Sequence, residues 1–567
     1  MTPRDDVLAA IRANPKVTVL ILGGGINGVG LLRELALQGV DCLLVDKSDF
    51  VAGASSKSSR MIHGGLRYLE TREFALVRES LVERNRLLEN AGHYVAPLRT
   101  SIPMFSWFGG LLRSILIFFG VSVQPGSRGV ATVKMGLTFY DWVTRRNRRT
   151  PTHCFLSRAE SLRQMPGLRT DIIGTANYWD AWITQAERLC IELVQQAEAL
   201  CADCRAANYL RPAGVDGAAV VLEDVETGES LRVEPTVVVN ATGGWVDLTN
   251  QALGLTTRYM GGTKGSHLVV DNADLLRALG DRMVYYQHED GRVCIAFPFL
   301  GKVIMGSTDI RCDDPDQAVC DEAEIGYMLE TLRGVLPGVT VTRDQVVYVF
   351  CGVRPLPASK GDVLANVSRG HALEFDAPAD GRPFGVYSLV GGKWTTFRAF
   401  AEQVTDRLLA DLGRARCASS EHLAIGGGAG FPSDEAGRQA WLARTAERAG
   451  LSEARTADLF ARYGVSAAGY AAIADEELEQ PLATLPHYSV GEIRRLALEE
   501  SVVHLTDLIC RRSVIALLGE ATEPVLAELA QVVGEVLGWD EARRVAEVAA
   551  AWAEVRPMGG TASRAGA

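Results

Sequence analysis

Residues 17–28 read VTVLILGGGING, a run of aliphatic and β-branched residues that passes directly into a glycine-rich turn. The run Val17–Leu22 is typical of a buried parallel strand. A helical pattern follows as far as Gln38, and a second strand, Cys42–Val45, then ends at Asp46. These residues predict a βαβ unit whose glycines lie where the strand meets the helix.

The spacing of the glycines is that of a dinucleotide-binding loop. Gly23 permits a tight turn, Gly25 lets the backbone approach a pyrophosphate, and Gly28 lets helix and strand pack closely. The helix start provides free N–H groups for phosphates, and Asp46 can accept a hydrogen bond from a ribose hydroxyl. The loop alone does not separate FAD from NAD. A second strand and glycine element, Val237–Gly244, favours a flavin, which needs both of its ends held by one fold.

The composition is that of an ordinary globular chain. The 567 residues are 47% hydrophobic and 22% charged with a net charge of −11, which argues against disorder and against a broad nucleic-acid surface. The eleven cysteines have no framework spacing, so we expect reduced thiols in a cytoplasmic protein and no bound metal. Met1–Lys16 lacks the apolar core of a secretory signal, and no uncharged apolar stretch of about 18 residues predicts a spanning helix.

The composition and the periodicity of the sequence change along the chain. Residues 260–350 contain short alternating strands. A stretch rich in Gly, Ala and Ser at 414–433 predicts a linker. From 434 to 555 the helical periods predict a separate all-α domain, and we expect the tail, 556–567, to be disordered.

A second segment points to a family. Residues 55–69, SSKSSRMIHGGLRYL, closely resemble the signature of FAD-dependent glycerol-3-phosphate dehydrogenases. The match continues in collinear order over nearly the whole chain, through Val239–Gly243, Lys264–His267, Gly306–Asp309, Gly352–Leu356, Gly391–Thr396, Arg462–Gly464 and Asp507–Arg512. The resemblance implies oxidation of sn-glycerol 3-phosphate to dihydroxyacetone phosphate. A hydride would pass to N5 of FAD, and the electrons would pass on to a quinone or, in some members, to oxygen.

The resemblance also implies an α/β fold. A Rossmann-type FAD-binding domain would join an antiparallel-sheet substrate domain, as in D-amino-acid oxidase, with a C-terminal all-α domain added. The core would span residues 1–413, with FAD-binding segments at about 15–100, 180–255 and 345–413 and the substrate domain at about 101–179 and 256–344.

The site residues that the resemblance implies fall into three groups. The FAD-binding group is Gly23, Gly25, Gly28, Asp46, Ser55, Ser56, His63, Gly65, Leu66, Gly243, Gly391, Gly392 and Thr395. The substrate-binding group is Arg67, Tyr68, Arg354, Arg369 and Lys393. The catalytic group is His267, Arg354 and Lys393.

The chemistry of these residues leaves some roles open. Arg354 follows an apolar strand and so is expected to face a cleft, where its planar fork suits a phosphate, whereas Arg369 could equally lie in an exposed turn. His267 can accept a hydroxyl proton near neutral pH, and a structural histidine is the rival interpretation. Lys393 precedes an expected helix start near Thr395 and could serve either the substrate phosphate or the charge of a reduced flavin.

Two features depart from the family pattern. Thr184, Gln185 and Glu187 stand where the family has two acids and an arginine, which leaves the polyol phosphate open, with a tetritol phosphate as a variant. The region 106–150 is long and joins the apolar stretch Trp107–Val123 to a basic cluster at 145–149. Such a region can dock on an anionic membrane and reach a quinone, or form a buried helix and a solvated turn.

Several alternatives therefore stay open. We expect a cytoplasmic protein, with a peripheral contact at the inner face of the cell membrane and a homodimer as options. An amine oxidase of the same fold is disfavoured because several cations are expected in the pocket. A non-catalytic flavoprotein, which would use the helical domain to bind partners, is disfavoured by His267, Arg354 and Lys393.

Overall fold

The computed structural model describes residues 1–69, 73–109, 129–288, 290–358, 370–472 and 478–556. Several predictions concern residues outside these ranges. They are the substrate-binding role of Arg369, the apolar segment from residue 110 to residue 123, and the tail from residue 557. The side chain of Arg67 also lies outside the described part of the chain.

Strands and helices alternate along most of the chain. The strands are β1 (Lys16–Leu22), β2 (Cys42–Val45), β3 (Met61–Ile62), β4 (Val95–Met104), β5 (Cys154–Ser157), β6 (Gly174–Ile183), β7 (Arg205–Ala207), β8 (Leu210–Asp216), β9 (Ala219–Asp224), β10 (Ser230–Asn240), β11 (Thr263–Val270), β12 (Arg282–Gln287), β13 (Val293–Phe299), β14 (Lys302–Gly306), β15 (Ile310–Arg311), β16 (Val346–Arg354), β17 (His371–Asp376) and β18 (Gly385–Gly391). The helices are α1 (Arg4–Ala13), α2 (Ile26–Leu37), α3 (Phe74–Asn90), α4 (Val130–Thr144), α5 (Arg158–Gln164), α6 (Ala186–Leu200), α7 (Val246–Ala252), α8 (Ala273–Leu279), α9 (Glu322–Val335), α10 (Phe397–Asp411), α11 (Glu435–Ala449), α12 (Glu453–Tyr463), α13 (Ala467–Ala471), α14 (Val490–Glu499), α15 (Leu505–Asp507), α16 (Glu523–Leu537) and α17 (Glu541–Val555).

The first sheet holds the predicted βαβ unit at its centre. Its spatial order is β17-β18-β10-β1-β2-β7, with β9 beside β10 and β8 beside β9. Strands β18, β10, β1, β2 and β7 run parallel. Val19 and Ile21 of β1 pack with α2, α6 and α10, whereas Leu20 and Leu22 pack with α1 and the β8–β9 hairpin. Burial on both faces explains why this strand is continuously apolar.

The second sheet confirms the predicted antiparallel layer. Its order is β15-β11-β14-β13-β12-β4-β6-β3, with β16 also beside β11 and β5 beside β6. Neighbouring strands are antiparallel except for the pair β12 and β4. One face packs against α8 and α9. The other face carries Phe297, Phe299, Tyr348 and Phe350 into the core of the C-terminal helices.

The C-terminal all-α region is also confirmed, and it shares its core with the second sheet. Helices α11 to α17 bury Leu459, Leu496, Leu508, Leu526 and Leu529 in one apolar cluster with the aromatic residues of that sheet. Apolar burial of this kind is the main stabilising contribution to packing between layers. The helices therefore form part of one continuous hydrophobic core rather than an appendage.

The predicted linker at 414–433 runs along helix α2. Arg33 donates to the carbonyl oxygen of Leu423 at 2.8 Å, and Gln38 donates to that of Ala418 at 3.0 Å. Arg416 forms an ion pair with Glu34 at 2.5 Å. A segment that composition alone assigns to a linker is thus fixed to the first layer by side chains of α2.

The two sheets do not follow the predicted segment boundaries. Strands β3, β4 and β16 pair in the second sheet, although they fall wholly or mainly within the segments predicted to bind FAD. The division into an FAD-binding and a substrate domain at those boundaries stays a prediction. Within the described residues, no helix combines the length and the apolar character needed to cross a membrane.

Candidate active site

A cavity of about 700 Å³ lies where the carboxyl ends of β1, β2 and β10 meet the second sheet. In an open α/β sheet this edge is where ligands bind. The cavity brings together most of the predicted site residues: Gly23, Gly25, Asp46, Ser55, His63, Tyr68, Gly243, His267, Arg354, Gly392, Lys393 and Thr395. Residues that are far apart in the chain therefore share one site.

The glycine loop has no room for side chains. A Cβ on Gly23 would lie 2.7 Å from the carbonyl oxygen of Ala241, and the φ of Gly23 is +106°. A Cβ on Gly28 would lie 1.9 Å from the carbonyl oxygen of Gly23. Helix α2 begins at Ile26, whose N–H donates to Oγ of Ser55 at 2.9 Å. The loop and the positive end of this helix form a cradle suited to a pyrophosphate.

Asp46 lies at the end of β2, as predicted, and also supports the loop. Its Oδ2 accepts from the N–H of Gly24 at 2.7 Å, and its Oδ1 accepts from the N–H of Ser48 at 2.9 Å. Burial raises the pKa of Asp46 to about 6, although both backbone bonds favour the carboxylate. The group lines the cavity and can accept a further hydrogen bond from a ribose hydroxyl.

These observations fit FAD. The cradle takes a pyrophosphate, Asp46 takes a ribose, and the cavity continues from the cradle to His63, Gly392 and Lys393. Helix α10 and the short 3₁₀ turn Trp394–Thr396 that precedes it follow directly after this lysine. A helix start and an ammonium group beside one end of the cavity suit the negative charge of a reduced isoalloxazine.

His267, on β11, is buried at 3% exposure and lines the cavity. Among the described residues, neither of its ring nitrogens has a hydrogen-bond partner. The ring stacks on Phe350 with 5.0 Å between centroids. Burial lowers the pKa of His267 to about 3, and the charges of Arg354 and Arg60 add to this effect. The imidazole is therefore neutral at physiological pH and has an unoccupied proton acceptor.

Arg354, at the end of β16, is held in a defined orientation. Nη1 donates to Asp309 at 2.9 Å, and Nη2 donates to Oγ of Ser307 at 3.1 Å and to the carbonyl oxygen of Thr308 at 3.0 Å. A Cβ on Gly265 would lie 2.2 Å from Nη2 of Arg354, so the guanidinium in this position needs a residue without a side chain at 265. The arginine lines the cavity, as the strand-end prediction expects.

Lys393 follows Gly391 and Gly392, whose φ angles are +75° and +97°. Its Nζ donates to Oγ of Ser80 at 2.8 Å and lies 4.7 Å from the ring centroid of Tyr68. Lys393 is buried at 9% exposure, so its charge acts in a medium of reduced dielectric. The lysine and the tyrosine form one unit at the cavity wall.

The Gly64–Gly65 pair is explained by neighbouring tyrosines. A Cβ on Gly64 would lie 2.3 Å from the hydroxyl of Tyr140, and a Cβ on Gly65 would lie 2.2 Å from the ring of Tyr68. The two glycines directly after His63 also predict, from the sequence, a close approach of the backbone to a flavin ring, and this stays a prediction. The crowding seen here is sufficient reason for both glycines.

Some of the predicted FAD-binding residues do not line the cavity in the described structure: Gly28, Ser56, Gly65, Leu66 and Gly391. Ser56, for example, donates to the carbonyl oxygen of Gly53 at 3.1 Å. A Cβ on Gly391 would lie 2.5 Å from the carbonyl oxygen of Gly370. These residues shape the wall from behind.

Sequence reasoning did not single out Trp245 and Asp316, which also line the cavity. The Trp245 Nε1–H donates to Asp316 at 2.9 Å, and Lys47 lies over the indole ring and pairs with the same carboxylate at 2.8 Å. Because Trp245 directly follows the matched segment ending at Gly243-Gly244, its position was a usable signal. The sequence around Asp316 carried no such signal.

Asp180 is a third residue that was missed. It accepts hydrogen bonds from the N–H of Gly64 at 3.1 Å, from Arg84 at 3.1 Å and from the hydroxyl of Tyr140 at 2.7 Å. All of these groups are buried. Asp180 therefore orients the backbone beside His63. Its place two residues after Tyr178 in a family motif was the available signal.

The departures from the family pattern lie behind the site. Glu187 forms a buried ion pair with Arg60, with bonds of 2.5 and 3.0 Å. Gln185 donates at 3.3 Å to carbonyl oxygens of α12, including that of Arg462. Neither these residues nor Thr184 line the cavity in the described structure. The three substituted positions therefore lie outside the described lining of the cavity.

Comparisons with known proteins identify the family and the fold. Residues 18–407 match the family described as FAD dependent oxidoreductase, and residues 418–544 match the C-terminal domain of alpha-glycerophosphate oxidase. The structure of the glycerol-3-phosphate dehydrogenase from Bacillus halodurans complexed with FAD superposes with a TM-score of 0.75 at 22% identity, over 98% of this chain and 99% of that chain. This similarity establishes a shared fold.

Sequence relatives extend over the full length. Glycerol-3-phosphate dehydrogenase from Synechocystis sp. is 32% identical, with 93% of this chain and 94% of the relative aligned. Glycerol-3-phosphate dehydrogenase 2 from Mycobacterium tuberculosis is 31% identical, with 94% of this chain and 86% of the relative aligned. The chain belongs to the FAD-dependent glycerol-3-phosphate dehydrogenase family.

Proposed function

We propose that this protein oxidises sn-glycerol 3-phosphate to dihydroxyacetone phosphate. One observation carries the proposal: a buried, neutral His267 shares the FAD cavity with the cations Arg354 and Lys393. A secondary alcohol that bears a phosphate needs a proton acceptor and a cationic clamp, and this wall offers both.

The chemistry divides between cofactor and chain. FAD, when bound, supplies the two-electron acceptor for the hydride that leaves C2 of the substrate. The unoccupied nitrogen of His267 takes the proton of the C2 hydroxyl as the carbonyl forms. Burial is the main cause of the low pKa of His267, and a phosphate dianion beside Arg354 would offset the smaller contribution of that charge and so raise the pKa.

Arg354 and Lys393 hold the substrate. The orientation of the Arg354 fork is set by Asp309 and Ser307, so little side-chain entropy is lost on binding a phosphate. Arg354 and Lys393 place two cationic side chains in the wall that also holds His267. This favours an anionic substrate over the protonated amine of an amine oxidase.

Bleaching of the flavin under anaerobic conditions tests the function. We expect sn-glycerol 3-phosphate to bleach the 450 nm band of the purified protein at least about tenfold faster than glycerol, which lacks the phosphate. A tetritol phosphate that bleached faster would reassign the substrate. Bleaching by glycine or sarcosine but not by glycerol 3-phosphate would indicate an amine oxidase, and bleaching by none would indicate a non-catalytic flavoprotein.

We further propose that the electrons pass to a quinone in an anionic membrane. Helix α4 presents Met135 and Trp142 to solvent, and the exposed Trp107, Phe108 and Phe74 add to its apolar surface. Arginines at 145, 146, 148 and 149 follow the helix and are exposed. Aromatic side chains flanked by cations suit the headgroup region of an anionic bilayer.

This surface has a short route to the flavin site. The opposite face of α4 buries Val133, Leu137 and Tyr140, and the Tyr140 hydroxyl approaches Gly64 beside His63. One helix therefore separates the exposed aromatic residues from the cavity wall.

The prediction of a homodimer stays a prediction.

Vesicle flotation tests the membrane surface. We expect the triple variant Trp107→Ser, Phe108→Ser, Trp142→Ser to bind phosphatidylglycerol vesicles at least about tenfold more weakly, because each apolar side chain contributes of order 1 kcal/mol to burial. A matched control replaces Leu498 and Val545, two exposed apolar residues of the C-terminal helices, with serine. Equal binding by the triple variant and the control would contradict this surface assignment.

A further inference from the structure

One wall of the FAD cavity is a single segment, residues 46–60, between β2 and β3. The residues of this segment that line the cavity fall at 46–48, 52–55 and 57–59. It is tied to the glycine loop by Asp46 and Ser55, which accept from the N–H groups of Gly24 and Ile26, and by the N–H of Val51, which donates to the carbonyl oxygen of Gly24 at 3.1 Å.

The backbone of this segment is strained. Val51 has φ +67° and Arg60 has φ +56°. This region is unfavourable for any residue with a side chain and most of all for a β-branched one. Such conformations persist only when their surroundings hold them, at a cost of order 1–3 kcal/mol each. Bonds from outside the segment must therefore supply part of that hold.

Asp49, two residues before Val51, turns away from the cavity and is fully buried. Arg512 forms a two-pronged pair with it, Nη1 to Oδ2 at 2.7 Å and Nη2 to Oδ1 at 2.8 Å. The Nε–H of Arg511 donates to the same Oδ2 at 2.5 Å, and Asn208 donates to Oδ1 at 2.9 Å. Both arginines come from the turn that ends α15, in the C-terminal helical region.

The arginines are themselves fixed. Asp507 accepts from Arg511 at 2.7 Å and from the hydroxyl of Tyr209 at 2.6 Å, and the Nε–H of Arg512 donates to the carbonyl oxygen of Glu500 at 2.8 Å. The group contains two arginines and two aspartates, so its formal charge balances. A buried pair of this kind is strongly destabilised when one partner is removed, because the other charge is left uncompensated.

We propose that Arg511 and Arg512 are positioning residues for the flavin site: through Asp49 they hold residues 46–60 in the conformation that binds FAD. The helical region thereby contributes to cofactor affinity, although among the described residues that line the cavity none belongs to it. The physical basis is a population effect. If the segment leaves its binding conformation, the dissociation constant for FAD rises in proportion to the lost population.

Release of FAD from the full-length holoenzyme tests the proposal. We expect Arg512→Gln to raise the dissociation constant for FAD at least about tenfold, measured from the recovery of flavin fluorescence on dilution. Arg512→Lys keeps the charge and loses the fork, so its dissociation constant for FAD should lie between those of the wild type and Arg512→Gln. Asp49→Asn should weaken FAD binding by a similar factor. The double variant Asp49→Asn, Arg512→Gln should bind FAD only slightly more weakly than either single variant, because both changes break the same contact.

A matched control separates positioning from general weakening of the helical region. Glu492 is another buried carboxylate held by two arginines, Arg455 at 2.9 Å and Arg462 at 3.0 Å, and none of these three residues lines the cavity in the described structure. Glu492→Gln should lower the unfolding temperature while FAD release and unfolding stay coincident. In Arg512→Gln, FAD release should occur at a lower temperature than the loss of helical circular dichroism.

Two results would overturn the proposal. One is a dissociation constant within about threefold of the wild type in both Asp49→Asn and Arg512→Gln. The other is weakening of FAD binding by Glu492→Gln as large as that in Arg512→Gln. If Arg512→Gln does not fold, the near-isosteric Asp49→Asn alone decides between these outcomes.

Discussion

Replacing His267 with asparagine is expected to slow reduction of the bound flavin by glycerol 3-phosphate by about 100-fold or more, since positioned proton transfer typically contributes 10²–10⁴. His267 is the proton acceptor that the described cavity wall offers without a partner. Its backbone lies within β11, so the substitution leaves the strand intact. Anaerobic stopped-flow absorbance measures the rate, and the bound-flavin spectrum checks that FAD stays in place.

Stability against pH provides a second readout for His267. Burial, together with the charges of Arg354 and Arg60, lowers its pKa to about 3, below the value near 6.5 of an unfolded chain. Between these values the unfolded chain binds a proton that the native protein does not, so this group makes stability fall as the pH drops below about 6.5. The asparagine variant should therefore lose less stability than the wild type between pH values of about 7 and 4.5 in urea titrations.

The exposed His422 supplies the control for both measurements. His422→Asn should match the wild type in rate and in acid stability. A His267→Asn protein that reduced its flavin at the wild-type rate would exclude this histidine as the base and leave the structural interpretation in its place.

Replacing Arg354 with alanine should raise the KM for glycerol 3-phosphate by about 100-fold, while FAD stays bound. Charge-assisted hydrogen bonds contribute about 1.5–3 kcal/mol each, and a fork can make two to one phosphate. In this protein the Nη groups already donate to Asp309, to Oγ of Ser307 and to the carbonyl oxygens of Lys264 and Thr308, so the guanidinium is pre-oriented and a phosphate must share or replace these acceptors. Steady-state kinetics with a dye acceptor measures KM and kcat separately.

The phosphate-free substrate sharpens this test. If Arg354 binds phosphate, the alanine variant should lose most of the preference for glycerol 3-phosphate over glycerol. Arg354→Lys, which keeps the charge without the fork, should recover part of the loss. Arg311→Ala, at an exposed arginine on β15, which pairs with β11, should have little effect. An unchanged KM in Arg354→Ala, or equal losses in both alanine variants, would remove the arginine from the substrate site.

The parts of the site that the sequence predicts are those built from neighbouring residues. The strand Val17–Leu22, the glycines at 23, 25 and 28 and the acid at the end of the next strand all lie within 30 positions, from residue 17 to residue 46. Their geometry follows from backbone sterics, which act locally. For the same reason the strand end at Arg354 and the turn before Lys393 could be anticipated from their immediate surroundings.

Burial and long-range pairing are the parts that only the tertiary structure decides. Whether His267 has a partner depends on Phe350, Arg354 and Arg60, which reach it from other strands and loops. Asp49 pairs with Arg512, which lies 463 positions away in the chain. Trp245 donates a hydrogen bond to Asp316, which lies 71 positions away. Such contacts arise from the packing of layers against one another, and packing depends on the shape and volume of the whole core rather than on any local pattern. The sequence alone therefore determined which ligand loop this protein carries, and the tertiary structure decided which side chains act beside it.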